Sequence, residues 1–179
     1  FFAKAGRPTS DGVAALATSG GASIMVADSA EAHRVRLPQP NDDVRRYLES
    51  QIPEFGSARN PCDVTAQILN DPGALPACAD KLLACTEFST LIIPHPYAYA
   101  PATRRLEALG VVAARHGKVI CSVWLSQWLD GPGTRELEAN PDVALFRSMD
   151  RCMATLKAWH GLAQAPVADA AAADEVTAD

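Results

Sequence analysis

Val13-Ala-Ala-Leu-Ala-Thr-Ser-Gly-Gly-Ala-Ser-Ile-Met-Val-Ala-Asp28 is the stretch on which the reading of this chain turns. Val13 to Ala17 is a short unbroken apolar run, the pattern of a strand buried on both faces. Thr18-Ser-Gly-Gly21 ends it. Ala22 to His33 then carries Ile24, Met25, Asp28 and Ala32 at helical spacing. The order is strand, tight glycine turn, helix start, with Thr18 or Ser19 placed to cap the helix. The first N–H groups of a helix have no partner inside it, and the helix dipole adds roughly half a positive charge at that end. Glycines let an anion come close to those amides. Thr18, Ser19, Gly20, Gly21, Ala22 and Ser23 therefore form a candidate phosphate or carboxylate seat. The alternative, from the dipeptide alone, is a plain tight turn between strand and helix. Neither G-x-G-x-x-G nor G-x-x-x-x-G-K-[ST] occurs here, and no lysine follows the glycines, which argues against a P-loop cradle for a nucleoside triphosphate.

Outward from this stretch, strands and helices alternate. Val35-Arg-Leu37 reads as a short second strand. Asn41 caps a helix from Asp42 to Gln51 that has acidic residues in its first turn, with Tyr47 and Leu48 as candidates for its buried face. Ile52 to Thr65 is irregular, and Asn60, Pro61 and Asp63 are turn formers within it. A long loop in a small domain is usually functional or held by contacts. Ala66 to Asn70 suits a single helical turn, and a helix from Pro72 or Leu75 runs to Cys85. Thr90 to Ile93 is a strand that breaks into a loop from Pro94 to Pro101. Ala102 to His116 is a helix with Leu106, Leu109, Val112 and Ala113 on one face, and Gly117 caps its C-terminus. Lys118 to Leu125 is a strand, Gln127 to Gly133 a loop, Thr134 to Ala139 a short helix, and Val143 to Phe146 the last strand. Ser148 caps a closing helix from Met149 to about His160.

Five nearly continuous apolar strands between helices predict an α/β fold with a parallel sheet covered by helices on both faces. The expected architecture is flavodoxin-like and doubly wound, with strand order 2-1-3-4-5. Ligands in such folds sit at the carboxyl ends of the strands, near the switch between strands one and three. The glycine turn, the loop from Asn60 to Thr65 and the loop from Pro94 to Pro101 would gather there. Residues 1–9 read as the end of a preceding segment or linker, 10–164 as the domain, and 165–179, rich in Ala, Asp and Glu, as a disordered tail or linker.

The chain of 179 residues suits one domain with a large core. A net charge of −5 argues against a nucleic-acid surface as its main business. No apolar run approaches the ~20 residues needed to span a bilayer, and the start has no signal-peptide pattern. Five scattered cysteines without C-x-x-C or zinc spacing predict buried free thiols, no metal site and a cytoplasmic location. Of four histidines, His95 lies in a carboxyl-end loop flanked by Tyr97 and Tyr99, and it is the one placed for chemistry. His33, His116 and His160 read as structural or solvated. Asp28 reads as a helix-surface residue, or as one that steers cations or binds an adjacent domain. Asp63 is a loop holder or an orienter of a partner's side chain. No Ser/His/Asp relay and no carboxylate pair appears by spacing, so no catalytic residue is assigned within this chain.

Three segments together resemble one family. Thr18-Ser-Gly-Gly-Ala-Ser-Ile-Met-Val-Ala-Asp28 is similar to its "TSGG…D" junction. Arg59-Asn-Pro-Cys-Asp-Val-Thr65 is similar to its "NPxDvT" loop. The layout of Leu91 to His95, Val119 to Trp124 and Leu145 to Ser148 resembles its later strands. The family is the NDP-forming acyl-CoA synthetases, relatives of succinyl-CoA synthetase, and the resemblance covers about residues 10 to 160. It implies a ligase domain in a synthetase that joins a carboxylic acid to CoA, consumes ATP and releases ADP through a phosphohistidine. Two flavodoxin-like domains of that family each point a helix N-terminus at the phosphohistidine, and residues 19–23 would supply one of these ends. CoA, ATP and Mg would serve the full enzyme. The partners implied are a CoA-binding domain, a phosphohistidine ligase domain, an ATP-grasp domain and a small carboxylic acid, without nucleic acid or membrane. The chain departs from the family in lacking the Ser-His-Thr-Gly type phosphohistidine segment, the CoA-binding domain and the ATP-grasp domain. It also has His33-Arg34-Val35 where relatives often have His-Gly-Leu, and Cys62 in the variable slot of NPxD. It therefore reads as one excised domain, inactive alone. A flavodoxin-like module holding FMN or another phosphate on the same turn is the alternative, with Tyr97, Tyr99 and Trp124 or Trp128 as flavin-stacking candidates. A regulatory domain that kept the fold without catalysis is a further one.

Overall fold

The computed structural model describes residues 1–96, 100–126 and 130–164. Five parallel strands form one sheet: β1 (Gly12–Ala17), β2 (Cys62–Asp63), β3 (Phe88–His95), β4 (Val119–Trp124) and β5 (Val143–Phe146). Their spatial order is β2-β1-β3-β4-β5, the doubly wound order expected. Seven helices accompany them: α1 (Phe2–Ala5), α2 (Gly20–His33), α3 (Asp42–Gln51), α4 (Ala74–Leu83), α5 (Ala100–Arg115), α6 (Thr134–Ala139) and α7 (Met149–Gln164). A 3₁₀ turn spans Ala66–Asn70. The expected tail at 165–179 lies outside the described residues.

Strand alternation divides the core into two layers. Ala14 and Leu16 of β1, with Leu91 and Ile93 of β3, face a cluster that includes Leu48 of α3, Leu82 of α4 and Leu109 of α5. Val13, Ala15 and Ile92 face the opposite layer, made by Val26 and Ala30 of α2 and by Met153, Leu156 and Trp159 of α7. Every residue of β1 is buried, which is why its sequence is an unbroken apolar run. The buried stripe of α2 is Ala22, Val26 and Ala30. Ile24 and Met25, placed at helical spacing by the sequence, are exposed along with Asp28. Small residues let α2 lie close to β1 and α7, and the larger apolar pair has no room beneath it.

Three expected boundaries shift. The strand anticipated at Val35–Leu37 is absent. Arg36 makes only an isolated parallel bridge to Gly12, and its carbonyl accepts from Val13 N at 2.9 Å. The edge strand is Cys62–Asp63, paired with Leu16 and Ala17. The edge of β1 is thus covered by two separate pieces of chain, because the segment leaving α2 turns away at Pro38. β3 does not break at Pro94 but runs through it to His95, in register with Val123 and Trp124. Pairing of β3 with β1 ends at Ala15 and Ile92, so the missing proline N–H removes no ladder bond on that side. Finally, the glycine pair is not a turn before the helix. Gly20 and Gly21 are the first two residues of α2, and neither has a positive φ.

Asn60 fills the gap between the two edge pieces. Its side-chain Oδ1 accepts from Ala15 N at 2.8 Å, and its Nδ2 donates to Val13 O and Pro38 O, both at 2.8 Å. Its main chain is held by Gln39, whose Oε1 accepts from Asn60 N at 2.9 Å and whose Nε2 donates to Asn60 O at 2.8 Å. A primary amide offers donors and an acceptor together, so it replaces the ladder bonds of a strand residue. Replacing Asn60 with Ala orphans three buried main-chain groups and is expected to cost about 2–4 kcal/mol in urea unfolding at constant m. A loss below about 1 kcal/mol would show that the edge of β1 does not depend on this amide.

Candidate functional site

The carboxyl ends of β1, β2 and β3 open on one cavity of about 500 Å³. One wall is the start of α2, with Thr18, Ser19, Gly21 and Ala22. The opposite wall is the end of β3, Ile93 to Pro96, with Arg105 from α5 beside it. Ala66, Leu69, Leu75 and Leu125 supply the apolar remainder. Of the sequence-predicted residues, Thr18, Ser19, Gly21, Ala22 and His95 are brought together around one space. Gly20 faces Asp63 instead, and Ser23 Oγ donates to Ser19 O at 3.4 Å. Asn60 and Pro61 stand away from it, at the edge of β1.

α2 begins without a side-chain cap. Ser19 is the N-cap residue in extended backbone, but its hydroxyl makes no capping bond, and no acidic residue lies in the first turn. The first internal bond runs from Ser23 N to Ser19 O at 3.1 Å. The earlier N–H groups are left for another acceptor. By contrast, Asn41 Oδ1 caps α3 through Val44 N, and Ser148 Oγ accepts from Arg151 N at α7. Gly20 lies in close approach to Asp63: a Cβ there would sit 3.1 Å from Asp63 Oδ2, and the carboxylate would have to give by a few tenths of an ångström. At Gly21 the nearest atom to a Cβ is Ser19 Oγ at 3.8 Å, so that position faces the cavity with room to spare.

Asp63 is held from both sides. Its main chain exchanges two 2.9 Å bonds with Ser57, and its Oδ1 accepts from Thr65 N at 3.0 Å. Its carboxylate stands beside the first turn of α2, where a negative charge is favoured. Thr65, the next turn of the loop, has φ 58° and ψ 160°, a region that a β-branched residue enters only under strain.

The buried side-chain polar atoms without a partner among the described residues are Thr65 Oγ1, His95 Nε2, Ser122 Oγ and Ser126 Oγ. They fall in the carboxyl half of β4 or at the carboxyl ends of β2, β3 and β4. Orphaned buried polar groups cost roughly 1–3 kcal/mol each and call for a functional explanation. His95 stands apart from the other histidines. His33 reaches Asp150 Oδ1 at 2.6 Å, His116 reaches Asp80 Oδ1 at 3.0 Å, and His160 Nε2 lies 3.0 Å from Ser89 Oγ. Burial, and then the charge of Arg105, pull the His95 pKa down to about 4, so the ring is neutral at pH 7.

Sequence reasoning missed Arg105 and Thr65. Arg105 lies three residues after Ala102 and one before Leu106 on the buried flank of α5, a cation where the stripe predicts an apolar residue. Nothing in the sequence marks the strain at Thr65. All five cysteines are buried and free, and burial raises Cys62 to about 12 and Cys78 to about 11, which leaves them inert as nucleophiles. Trp124 is 2% exposed and unable to stack on a flavin, and Tyr97, Tyr99 and Trp128 lie outside the described residues. Among the described residues, no group of three His, Cys, Asp or Glu side chains is placed to hold a metal. No described helix is long and apolar enough to cross a membrane.

No protein-family model matches the chain, and no curated protein matches it. Among solved structures, PH0766 from Pyrococcus horikoshii OT3 is similar, with a TM-score of 0.75 and 18% identity. The match covers 88% of this chain and 37% of that one. The dinucleotide-forming acetyl-coenzyme A synthetase 1 of Ca. Korarchaeum cryptofilum is similar in its apo form and in its complex with phosphate and ADP. Each of these has a TM-score of 0.68 and 16% identity, covering 88% of this chain and 34% of the other. The chain thus spans a little over a third of the length of these structures, and the likeness is one of fold.

The low pKa of His95 makes stability depend on pH. Between about 4 and the ordinary histidine value near 6.5, the unfolded chain binds a proton at this position that the folded chain refuses. Folding stability is expected to fall as pH drops through that window, with His95 contributing on the order of 3 kcal/mol. Urea unfolding of His95→Gln against the parent chain at pH 7 and pH 4.5 checks this. The variant should lose less stability on acidification, and parallel losses would place the titration elsewhere.

Proposed function

We propose that this chain is one ligase domain of a multidomain acyl-CoA synthetase. In this reading the full enzyme makes acyl-CoA from a carboxylic acid and CoA, with ATP consumed and ADP released. A phosphohistidine supplied by another domain carries the phosphoryl group. The first turn of α2 seats that group. The observation that carries the reading is the uncapped N-terminus of α2, open to a cavity at the carboxyl end of the sheet. Its N–H groups lack a side-chain acceptor, its own first turn holds no acidic residue, Asp63 stands on the Gly20 side, and Gly21 leaves the approach clear. The TSGG and NPxD segments support it from the sequence, and the shared fold with an acetyl-coenzyme A synthetase supports it from the structure.

In the family that the sequence resembles, ATP, Mg and CoA are served by the other domains of the full enzyme. This domain contributes a fixed positive end that stabilises the phosphoryl group as charge builds on it. Alone it does not turn over. Asn60 and Asp63 hold the geometry of the loop against α2 and do not touch substrate.

The test uses the full-length parent with ATP, CoA and a panel of carboxylic acids, with the nucleotides separated afterwards. ADP formed only when CoA and one acid are both present is the expected result. AMP in place of ADP, or no nucleotide consumed with any acid by well-folded protein, would overturn the reading. Gly21→Val covers the α2 terminus without touching the core, and it should lower turnover at least tenfold while the melting temperature holds. Normal turnover of that variant would remove α2 from the mechanism.

A further inference from the structure

We infer that His95 forms the second wall of the phosphate seat: its Nε2–H gives a hydrogen bond to an oxygen of a phosphoryl dianion held at the start of α2. The inference rests on the reading of α2 as a phosphate seat, and it adds a side-chain ligand from the opposite strand.

Geometry supports it first. His95 lines the same cavity as Ser19 and Gly21, and Arg105 stands beside it. The residue is 7% exposed, and Nε2 has no partner among the described residues. A buried histidine kept for packing is normally tied to a neighbour, as His160 is tied to Ser89. His95 instead ends a strand with its main chain satisfied, since its carbonyl accepts from Leu125 N at 2.8 Å. The ring nitrogen is the part left over. A phosphoryl dianion supplies the acceptors it lacks, and the amides of α2 take the remaining oxygens.

Charge agrees. Among the described residues, the titratable or charged groups that line the cavity are His95 from β3 and Arg105 from α5. The linings from α2, the 3₁₀ turn, α4 and the segment after β4 carry no ionisable side chain. Asp63 stands behind the first turn of α2, on its Gly20 side. The cavity therefore has one fixed cation and one ring that is neutral until an anion arrives. A phosphate anion next to the ring favours its protonated form, so phosphate binding raises the pH at which His95 takes up its proton. Leu69, Leu75 and Leu125 make the rest of the described lining apolar, which fits a bare phosphoryl group better than a nucleotide.

The test is an NMR titration of the 179-residue chain with inorganic phosphate, following the imidazole nitrogens of His95 and, separately, the amides of Gly20, Gly21 and Ala22. Both sets are expected to shift together, and the titration midpoint of His95 should rise by about one pH unit or more at saturating phosphate. His95→Leu should weaken phosphate binding about tenfold, while His95→Gln, which keeps an N–H donor, should stay within about threefold. If the α2 amides shift and the ring does not, or His95→Leu binds phosphate like the parent, the seat stands and the role of His95 is overturned. If neither responds to phosphate, the seat itself fails and the inference falls with it. The ring readout uses the unmodified chain, so it holds even where a variant does not fold.

Discussion

The side-chain amide of Asn60 completes the edge of β1, and the rest of the candidate site depends on that bridge. β1 is the strand from which α2 departs. On one side it is paired to β3 along its first half. On the other side it meets only Arg36 near its start and Cys62 and Asp63 near its end. Between them the main-chain groups of Val13 and Ala15 face Asn60, which satisfies both. A water-filled gap at this point would leave the loop that follows without a fixed register. With the amide in place, Asp63 is delivered beside Gly20, and Thr65 is forced into its strained conformation at the rim.

The polarity of the site follows from the same arrangement. A helix whose first turn lacks both a cap and an acidic residue gives up stability at that end, since a good N-cap is worth roughly 1 kcal/mol. The same cavity holds a neutral buried imidazole with an unmet hydrogen bond. Two groups that each carry a local penalty, facing one space, are the pattern of a surface prepared for a ligand rather than for its own stability. The opposite end of the fold shows the reverse economy. There Lys118 Nζ donates to Leu83 O and Cys85 O, closing the carbonyl end of α4, and Lys4 Nζ reaches Glu138 O, Asn140 O and Val143 O. Burial lowers the pKa of both lysines, yet each has its donors occupied by carbonyls.

The neighbours in known structures share this scaffold at 16–18% identity. At that distance most side chains have been exchanged, and what persists is the fold. The reason is topological. Parallel strands joined by right-handed crossovers place every strand-to-helix junction on the same edge, so amides and loop side chains converge there whatever their identity.

Much of this was legible in the chain alone. The unbroken apolar runs at Val13–Ala17 and Val119–Trp124 announce strands covered on both faces, and Asn41, Gly117 and Ser148 mark helix ends through local side-chain or backbone chemistry. Such signals act within a few residues, so a sequence carries them openly. The motif Thr18 to Ser23 was likewise visible as the end of a strand and the start of a helix, whose first amides are left open by covalent geometry. The second strand was misread at Val35–Leu37, since edge pairing is decided by which distant segment reaches β1 first, and Asn60 settles that across 45 residues. The same holds for the isolation of His95 Nε2, the approach of Arg105 and the strain at Thr65. Local propensity and capping belong to the sequence itself. Which buried group finds a partner, and which is left without one, is settled only when strands far apart in the chain pack against one another.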